Sequence, residues 1–396
     1  MTELMDAAVM YGPGDIRFEK VGKPACPEGG FVVKVMAIGL CGSDIRNLTT
    51  DSRKGAYPHI YGHEVVGLVD QVAPGVEGYR VGELIYVYPV EHCLKCDFCR
   101  SGHSEQCTNS GQYTDNPGGF AQYIAYGPTR VERGATFRVP DGVDPVRASL
   151  AEPMSSTYAC VDNIGVTMGD SVAILGAGPI GVFLAILCRM RGASDIILVD
   201  VNADRLAKSE AFDEIDHRVD SSVVDPVEEV LRLTGGLGAD KVISANPSTI
   251  AQQQGLLMTK RAGTMVFFGG VPKGALTEVD SNLVHYRGLW IYGHYGSNTM
   301  QVQKAFELAI DPKFPADRLV SHVLPLSDIN RAIEMTRTGE ALKVVLVPNG
   351  ADHAQSGRRS ARHVIQRYTG SHGNPEHHSL LAGGTGAQGQ DHRGRT

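Results

Sequence analysis

Short apolar runs separated by glycine and proline dominate residues 1–150 of this 396-residue chain. FVVKVMAIG (31–39) and EVVGLVDQV (64–72) are two such runs, and each is followed by turn-forming residues. Runs of this length and make-up are typical of β-strands joined by turns. We therefore expect a β-rich unit over residues 1–150.

The next region changes to strand, glycine turn and helix, repeated. An apolar run closed by glycines, SVAILGAG (171–178), precedes a stretch with helical spacing, PIGVFLAILCRMRG (179–192), and then comes DIILVD (195–200). The later runs DKVISAN (240–246) and GTMVFFGG (263–270) predict further strands. This alternation is typical of an α/β unit with a parallel sheet.

A mixed segment follows the parallel-sheet unit. LPLSDINRAIEMTRTGE (324–340) predicts a helix capped by Ser327, and KVVLV (343–347) predicts a closing strand. We therefore expect the parallel-sheet unit at 151–289 and the mixed segment at 290–348.

The last stretch, 349–396, is rich in Gly, Gln, Ser, His and Arg and has almost no apolar periodicity. It holds six of the chain's 14 histidines, which could bind a metal ion. The composition is nevertheless that of a disordered, solvated tail, and we favour that interpretation.

Composition and charge exclude several classes of function. Hydrophobic residues make up 42% of the chain and the formal net charge is -7, so neither the total charge nor any basic stripe indicates a nucleic-acid binder. The N-terminus has no basic stretch followed by an apolar one, and the most apolar segment, 172–188, is interrupted by Gly and Pro. We therefore expect a cytoplasmic protein without a membrane partner.

Four of the eight cysteines lie in one loop, with the spacing Cys93-x2-Cys96-x2-Cys99-x7-Cys107. In a reducing compartment clustered cysteines bind metal more often than they form disulfides. Four thiolates can surround one tetrahedral Zn²⁺ and leave no open position, which predicts a structural zinc site. An iron–sulfur cluster and redox-active or inert cysteines remain as alternatives.

A second group of candidate ligands lies at predicted strand ends. Cys41 follows one predicted strand, and His63 and Glu64 stand at the start of another. Thiolate, imidazole and carboxylate suit Zn²⁺, and three protein ligands would leave one position open. Glu152 is a further acid, at the junction of the two units. Each residue alone is more often structural, so the hypothesis depends on their joint presence.

The hexad Gly176-Ala177-Gly178-Pro179-Ile180-Gly181 matches the dinucleotide-binding pattern G-x-G-x-x-G between a strand and a helix. Asp200 ends the next predicted strand, where an acid would bind the adenosine ribose and repel a 2′-phosphate. NAD is therefore favoured over NADP. Arg205 could stack on the adenine or hold the ribose, and as a possible 2′-phosphate contact it keeps NADP as the minority alternative.

In combination these motifs resemble the zinc-dependent medium-chain dehydrogenases, close to the polyol and threonine dehydrogenase branch that includes sorbitol (L-iditol) dehydrogenase. The resemblance covers about residues 5–348. It is carried by GLCGSD (39–44), GHE (62–64), the four-cysteine loop, AEP (151–153), GAGPIG (176–181) with Asp200, and VFFGG (266–270).

The resemblance implies an α/β fold with two domains. A GroES-like, β-rich catalytic domain would comprise 1–150 and 290–348, with the zinc loop at 91–107. A Rossmann domain would comprise 151–289, and the active site would lie in the cleft between them. Members of the family are usually homodimers or homotetramers.

The resemblance also implies residue roles at the metal. Cys41, His63 and Glu64 would be catalytic zinc ligands, and Glu152 would bind the ion directly or through water. Leu94 stands in the zinc loop where the family commonly has glycine, and we expect little consequence because its backbone need not be strained.

Ser43 would begin the proton relay. At the next relay position, where the family often has histidine, this chain has Arg46, which cannot shuttle protons at neutral pH but could bind a hydroxyl-rich or anionic substrate. The implied cofactor-binding positions are Gly176, Gly178, Pro179, Ile180, Gly181, Asp200, Arg205, Phe268 and Gly269.

We expect an NAD-dependent enzyme that oxidises a secondary hydroxyl of a polyol, sugar or cyclitol, because the predicted cleft segments carry many polar groups, including Ser155, Ser156 and HYGSN (294–298). Threonine or a simple secondary alcohol is the alternative substrate. A zinc-stabilised binding protein without turnover is the alternative from another class.

Overall fold

The structure is a computed structural model that describes residues 3–50, 57–111 and 118–350. Most of the tail expected at 349–396 lies outside the described residues. Within the described part of the chain, no helix is long and apolar enough to cross a membrane.

The first 150 residues form short strands with short helices between them. The strands are β1 (Leu4–Gly12), β2 (Asp15–Gly22), β3 (Phe31–Gly39), β4 (His59–Ile60), β5 (Glu64–Val72), β6 (Leu84–Val87), β7 (Tyr123–Tyr126) and β8 (Thr136–Arg138). The helices are α1 (Gly42–Thr49), α2 (Asp97–Arg100), α3 (Pro128–Arg133) and α4 (Pro145–Ala148), with a 3₁₀ turn at Ser104–Gln106.

Strands and helices then alternate through the middle of the chain. The helices are α5 (Ala151–Asn163), α6 (Pro179–Met190), α7 (Ala203–Ser209), α8 (Pro226–Leu233), α9 (Thr249–Met258) and α10 (Ser281–Arg287). The strands are β9 (Ser171–Leu175), β10 (Asp195–Asp200), β11 (His217–Asp220), β12 (Ala239–Ser244), β13 (Thr259–Phe267) and β14 (Trp290–Gly293).

These six strands form one parallel sheet in the order β11-β10-β9-β12-β13-β14. The order reverses beside β9, which is the arrangement of a doubly wound dinucleotide-binding sheet. Its strands are nearly continuous apolar runs because helices cover both faces. Residues Ile174, Ile197 and Ile243 are accordingly fully buried.

The chain ends with α11 (Thr299–Ile310), α12 (Ala316–Leu319), β15 (His322–Pro325), a 3₁₀ turn (Leu326–Asp328), α13 (Ile329–Thr338) and β16 (Val344–Val347). Strands β15 and β16 return to the first unit, where β16 pairs with β3 in the sheet order β15-β16-β3-β5-β6-β8, with β7 also on β3. The α/β class and the two kinds of sheet are as expected.

Two details differ from the sequence-based expectations. β14 pairs with β13, so the parallel sheet continues past residue 289 to Gly293. Ser327 does not cap a helix, because it lies in the 3₁₀ turn and α13 begins at Ile329 after Asp328. Pro325 ends β15 and separates the residues that the helical pattern had joined.

Candidate metal and dinucleotide sites

Cys41, His63 and Glu64 converge because β3 and β5 are antiparallel neighbours. Gly39, at the end of β3, pairs with Glu64 at the start of β5. Cys41 therefore lies at the same end of the sheet as His63, and one donor atom from each of the three residues lies within 4.8 Å of the others. The structure thus brings together sulfur, nitrogen and oxygen donors of the kind that Zn²⁺ prefers.

Asp44 is a partner of this group to which the sequence analysis assigned no role. Its Oδ2 accepts a hydrogen bond from the backbone N–H of Cys41 at 3.2 Å, and its Oδ1 lies 3.1 Å from Nδ1 of His63. The carboxylate is fully buried. An acid bonded to one ring nitrogen fixes the orientation of the other, which is the usual support of a metal-binding histidine. The sequence contained a signal for this role, because an acid three residues after Cys41, at the start of a short helix, can bond back to the Cys41 backbone.

Lys343 is a second unassigned partner. Its ammonium nitrogen lies 2.6 Å from the carboxylate of Glu64 and donates to the carbonyl oxygen of Leu40 at 3.1 Å. Both charged side chains are buried, and Glu64 raises the pKa of Lys343 against the effect of burial, which lowers it. The only sequence signal was a lysine at the start of an apolar strand, where such a residue needs a partner.

Glu152 approaches the same group from α5. Its Oε1 lies 3.9 Å from Nε2 of His63, although it is not one of the three residues that share the 4.8 Å cluster. Burial raises the pKa of Glu152 to about 7. Burial opposes the charged ring of His63, but Asp44 and Glu152 outweigh that effect and raise its pKa well above the ordinary value. Closely spaced acids in a buried site are an arrangement that a cation would stabilise.

Ser43 and Arg46 lie on α1, the helix that follows Cys41. Ser43 is half-buried in the first turn, two residues from Cys41, whereas Arg46 is exposed one turn later. Ser43 is therefore close in sequence to a candidate ligand and partly shielded from solvent, whereas Arg46 is open to solvent.

The four-cysteine loop has the dimensions of a single-ion site. All four thiols are free, with Sγ–Sγ separations of 4.0 Å for Cys93–Cys99 and 3.9 Å for Cys96–Cys107. Tetrahedral zinc with Zn–S bonds of about 2.3 Å requires Sγ–Sγ separations of about 3.8 Å. The backbone N–H groups of Lys95 and Cys96 donate to Cys93 and lower its pKa to about 6, which favours a thiolate ligand.

Leu94 adopts φ 58°, so the expectation that its backbone would be unstrained is wrong. The left-handed conformation turns the N–H groups of Lys95 and Cys96 towards the sulfur of Cys93. A non-glycine residue has a steric cost in this conformation, which explains why glycine suits the position.

The glycine turn between β9 and α6 has the geometry of a phosphate-binding loop. Gly176 adopts φ 122°, and a Cβ on Gly181 would lie 1.8 Å from the carbonyl oxygen of Gly176. A Cβ on Gly178 would meet no atom within 4 Å, so space remains open in front of the turn. Pro179 and Ile180 start α6, whose N-terminal N–H groups and dipole favour an anion.

Asp200 and Arg205 flank this turn. Asp200 accepts hydrogen bonds from the backbone N–H groups of Ala177 at 2.6 Å and Asn202 at 2.9 Å. The acid therefore fixes the turn itself, and its oxygens retain further acceptor capacity. Arg205 lies with Ala177, Gly178 and Pro179 around a small cavity that residues of the α13–β16 connection close from the other side.

Phe268 and Gly269 lie at the carboxyl end of β13. Both backbone N–H groups point to the carbonyl oxygen of Ser244, and a Cβ on Gly269 would collide with the backbone of Asn246. The ring of Phe268 stacks on His294, with centroids 4.8 Å apart, and Nε2 of His294 lies 3.1 Å from Oγ of Ser156. The candidate cofactor-binding residues therefore all lie at the carboxyl edge of the parallel sheet, where ligands bind in such folds.

Comparison with known proteins agrees with this architecture. Residues 27–133 match the family model described as alcohol dehydrogenase GroES-like domain, and residues 179–311 match the one described as zinc-binding dehydrogenase. The L-threonine 3-dehydrogenase of Pyrococcus horikoshii is 31% identical over 359 residues, which are 88% of this chain and 99% of that protein. The sorbitol dehydrogenase of Bombyx mori is 27% identical over 350 residues, 86% of this chain and 97% of that protein.

The fold comparison leads to the same group. A Sinorhizobium meliloti structure described as a zinc-binding dehydrogenase bound to NADP has a TM-score of 0.78 at 27% identity, and the match covers 87% of this chain and 100% of that one. A relative above 30% identity that is matched over nearly its whole length shows the family. The chain therefore belongs to the zinc-dependent medium-chain dehydrogenases, in the polyol and threonine dehydrogenase branch, and is an oxidoreductase.

Proposed function

We propose that this enzyme oxidises a secondary hydroxyl of a polyol, sugar or cyclitol to a ketone, with NAD as the hydride acceptor. The observation that carries the proposal is the course of α5 between two groups of residues. Its Glu152 approaches His63 in the donor cluster, and its Ser156, one turn later, contacts His294 at the carboxyl edge of the parallel sheet. A substrate between them would touch both.

The donor cluster fits a catalytic zinc ion held by Cys41, His63 and one carboxylate. Glu64 is close enough to the other donors, but its charge is already compensated by Lys343. Glu152 lies 3.9 Å from His63, and burial raises its pKa, so a metal ion would stabilise its charged form. When bound, zinc would supply Lewis acidity to a substrate hydroxyl, and nicotinamide would accept the hydride. The Cys93–Cys107 loop would hold the structural zinc.

Side chains on α1 and α5 would provide proton transfer and substrate binding. The half-buried hydroxyl of Ser43 can accept the substrate proton and pass it towards solvent, whereas Arg46 remains charged and serves binding only. Burial raises the pKa of Glu152 to about 7 in the metal-free protein, so this carboxyl group can exchange a proton near neutral pH when it does not bind the ion.

NAD is the proposed dinucleotide because Asp200 ends β10 with its carboxylate at the glycine turn. A negative charge there binds ribose hydroxyls and repels a 2′-phosphate. Arg205 is the residue that favours NADP, and the NADP-bound relative makes that cofactor the alternative to be measured.

A hydroxyl-rich substrate is proposed because the side chains near the donor cluster are polar. Ser155 and Ser156 lie on α5, and Tyr88 contacts Ser297 at 3.0 Å in the segment that follows His294. Threonine is the alternative, and the 31% identity to a threonine dehydrogenase supports measuring it first among the amino acids.

The test is reduction of NAD by the zinc-loaded protein, followed by the near-ultraviolet absorbance of reduced nicotinamide. Sorbitol, xylitol, ribitol, myo-inositol, L-threonine and 2-propanol would be compared, each with NAD and NADP. We expect the highest kcat/KM for a polyol or cyclitol with NAD. A clear preference for threonine would replace the substrate assignment, and no reduction by any secondary alcohol would reject the proposal.

We also propose a homodimer formed at β14. This strand is an edge of the parallel sheet, and the exposed fractions of Trp290 and Ile291 are 73% and 40%, with Tyr286 at 72% nearby. Exposed apolar edge strands are normally covered, and large apolar patches mark interfaces. A second copy fits because antiparallel pairing of two identical strands places the same surface on both sides of a twofold axis.

A further inference from the structure

His294 lies at the part of the sheet edge where the nicotinamide half of a bound dinucleotide would lie. Its backbone N–H donates to the carbonyl oxygen of Phe267 at 3.0 Å, so it continues β14 beside the end of β13. Asp200 marks the adenosine side, on β10, and β9 carries the glycine turn between them. The other half of the dinucleotide must extend over β12, β13 and β14, at the carboxyl edge of the same sheet.

The imidazole also faces the side of the donor cluster. Nε2 of His294 contacts Oγ of Ser156, and Ser156 lies one helical turn after Glu152, on the same face of α5. Glu152 in turn lies 3.9 Å from His63. The contact of His294 with α5 is therefore one helical turn from the contact of Glu152 with His63. A nicotinamide ring beside His294 would lie near a substrate bound at the proposed zinc site.

One hydrogen-bonding position of this ring is unused. The His294 side chain is buried, with the residue 7% exposed, and Nδ1 has no hydrogen-bond partner among the residues that the structure describes. Nearly all buried polar atoms in proteins are paired, so an unpaired one at a ligand-binding edge points to a ligand group. Phe268 stacks on the ring with centroids 4.8 Å apart and so restricts its orientation.

Given the proposed dinucleotide-dependent function, on which this inference rests, we propose that Nδ1 of His294 hydrogen-bonds the carboxamide of the nicotinamide. The contact selects one face of the ring by fixing the carboxamide on the side of β14. Burial lowers the pKa of His294 to about 4, so the imidazole is neutral and has one donor and one acceptor nitrogen. A carboxamide offers an N–H and a carbonyl, so it matches Nδ1 in either tautomer.

Two substitutions separate the ring nitrogens. In His294→Asn the amide lies near the position of Nδ1 and the contact with Ser156 is lost. In His294→Gln the amide reaches the position of Nε2, so the contact with Ser156 is kept and the Nδ1 group is removed. His294→Phe removes both nitrogens and keeps the stacking on Phe268. Thermal unfolding of each zinc-loaded variant establishes that it is folded.

The measurement is calorimetric binding of NADH and of ADP-ribose, which has the adenosine and pyrophosphate but no nicotinamide. We expect His294→Gln and His294→Phe to weaken NADH binding about tenfold, the effect of one hydrogen bond in a buried site, with ADP-ribose unchanged. His294→Asn should retain most of the NADH affinity.

Three results would overturn the assignment. The first is NADH affinity that is unchanged in all three variants. The second is equal weakening of NADH and ADP-ribose, which would mean that the ring only supports the strand end. The third is a change confined to substrate KM, which would place Nδ1 against the substrate. If the wild type binds neither NADH nor ADP-ribose, the proposed function itself fails, and that outcome is distinct from the other three.

Discussion

The ammonium group of Lys343 lies 2.6 Å from the carboxylate of Glu64, and both side chains are shielded from water. The two residues are 279 positions apart, and the pairing of β16 with β3 and of β3 with β5 brings them together. The ion pair therefore joins the last strand of the chain to the donor cluster.

Replacing Lys343 by Met should destabilise the protein strongly, because Glu64 would remain buried without its partner. Removal of one member of such a pair typically lowers the free energy of unfolding by about 3–5 kcal/mol. Urea unfolding measures the change. The control is Lys260→Met, whose partner Asp240 is only partly buried and which should cost no more than about 1 kcal/mol. If Glu64→Gln with Lys343→Met is no more stable than Lys343→Met alone, the explanation by unpaired charge is wrong.

Cys41→Ser and Cys96→Ser should have different effects. Loss of Cys41 from the proposed catalytic zinc site should lower kcat/KM by more than about 100-fold, which is the upper limit for loss of a residue that only supports a ligand. Thermal stability should change little. Loss of a ligand in the four-cysteine loop should instead lower the unfolding temperature, because structural zinc contributes folding free energy. Zinc content, melting temperature and activity would be measured on the same samples. Full activity in Cys41→Ser would reject the site.

Asp44→Asn should weaken zinc binding at the proposed catalytic site by about 10- to 100-fold, because an amide forms a weaker hydrogen bond to Nδ1 of His63 than the carboxylate does. Competition with a chelator gives the affinity, and the zinc of the four-cysteine loop in the same protein is an internal reference. Asp141→Asn, at an exposed position, is the matched control. Equal zinc retention in both variants would contradict the supporting role.

The stability of the cofactor-free protein should depend on His294 below neutral pH. Its folded-state pKa of about 4 is below the ordinary value of 6.5, so between these values the unfolded chain binds more protons than the folded one. Stability is therefore lost as the pH falls from 6.5 towards 4. His294→Phe removes this component, so the wild type should lose stability relative to the variant by up to about 1.4 kcal/mol per pH unit. Parallel urea curves for the two proteins at pH 7 and pH 5 would contradict the expectation.

Trp290→Glu should disrupt the proposed dimer by placing like charges across the twofold axis. Sedimentation should show self-association weakened by at least about tenfold, the equivalent of 1.4 kcal/mol. Val223→Glu is the control, since Val223 is 76% exposed and follows β11 at the opposite edge of the same sheet. A wild type that is monomeric at all concentrations would refute the interface directly.

The sequence predicted what depends on local pattern. The glycine hexad, Asp200 and the cysteine spacing each identify a local geometry, and the strands at 31–39 and 64–72 have the predicted ends. The sequence placed Cys41 and His63 at predicted strand ends, but their convergence depends on the antiparallel pairing of β3 with β5.

The sequence did not predict contacts made over long distances. Lys343 meets Glu64 only because two strand pairings connect them, and His294 meets Ser156 from 138 positions away in the sequence. Asp44 was within a recognised motif, but its two hydrogen bonds depend on the turn that α1 takes after Cys41. The left-handed backbone of Leu94 accompanies hydrogen bonds from the following N–H groups to the sulfur of Cys93, and the spacing of the cysteines alone does not predict these bonds.

Glu152, in the first turn of α5, has its Oε1 3.9 Å from Nε2 of His63. His63 directly precedes β5 of the antiparallel sheet, whereas α5 packs mainly on α11 and α6. The position of α5 on these two helices therefore sets the distance between its carboxylate and His63. If zinc binds Cys41 and His63, a shift of α5 by about an ångström, small beside the helical pitch of about 5.4 Å, would decide whether Glu152 also binds the ion.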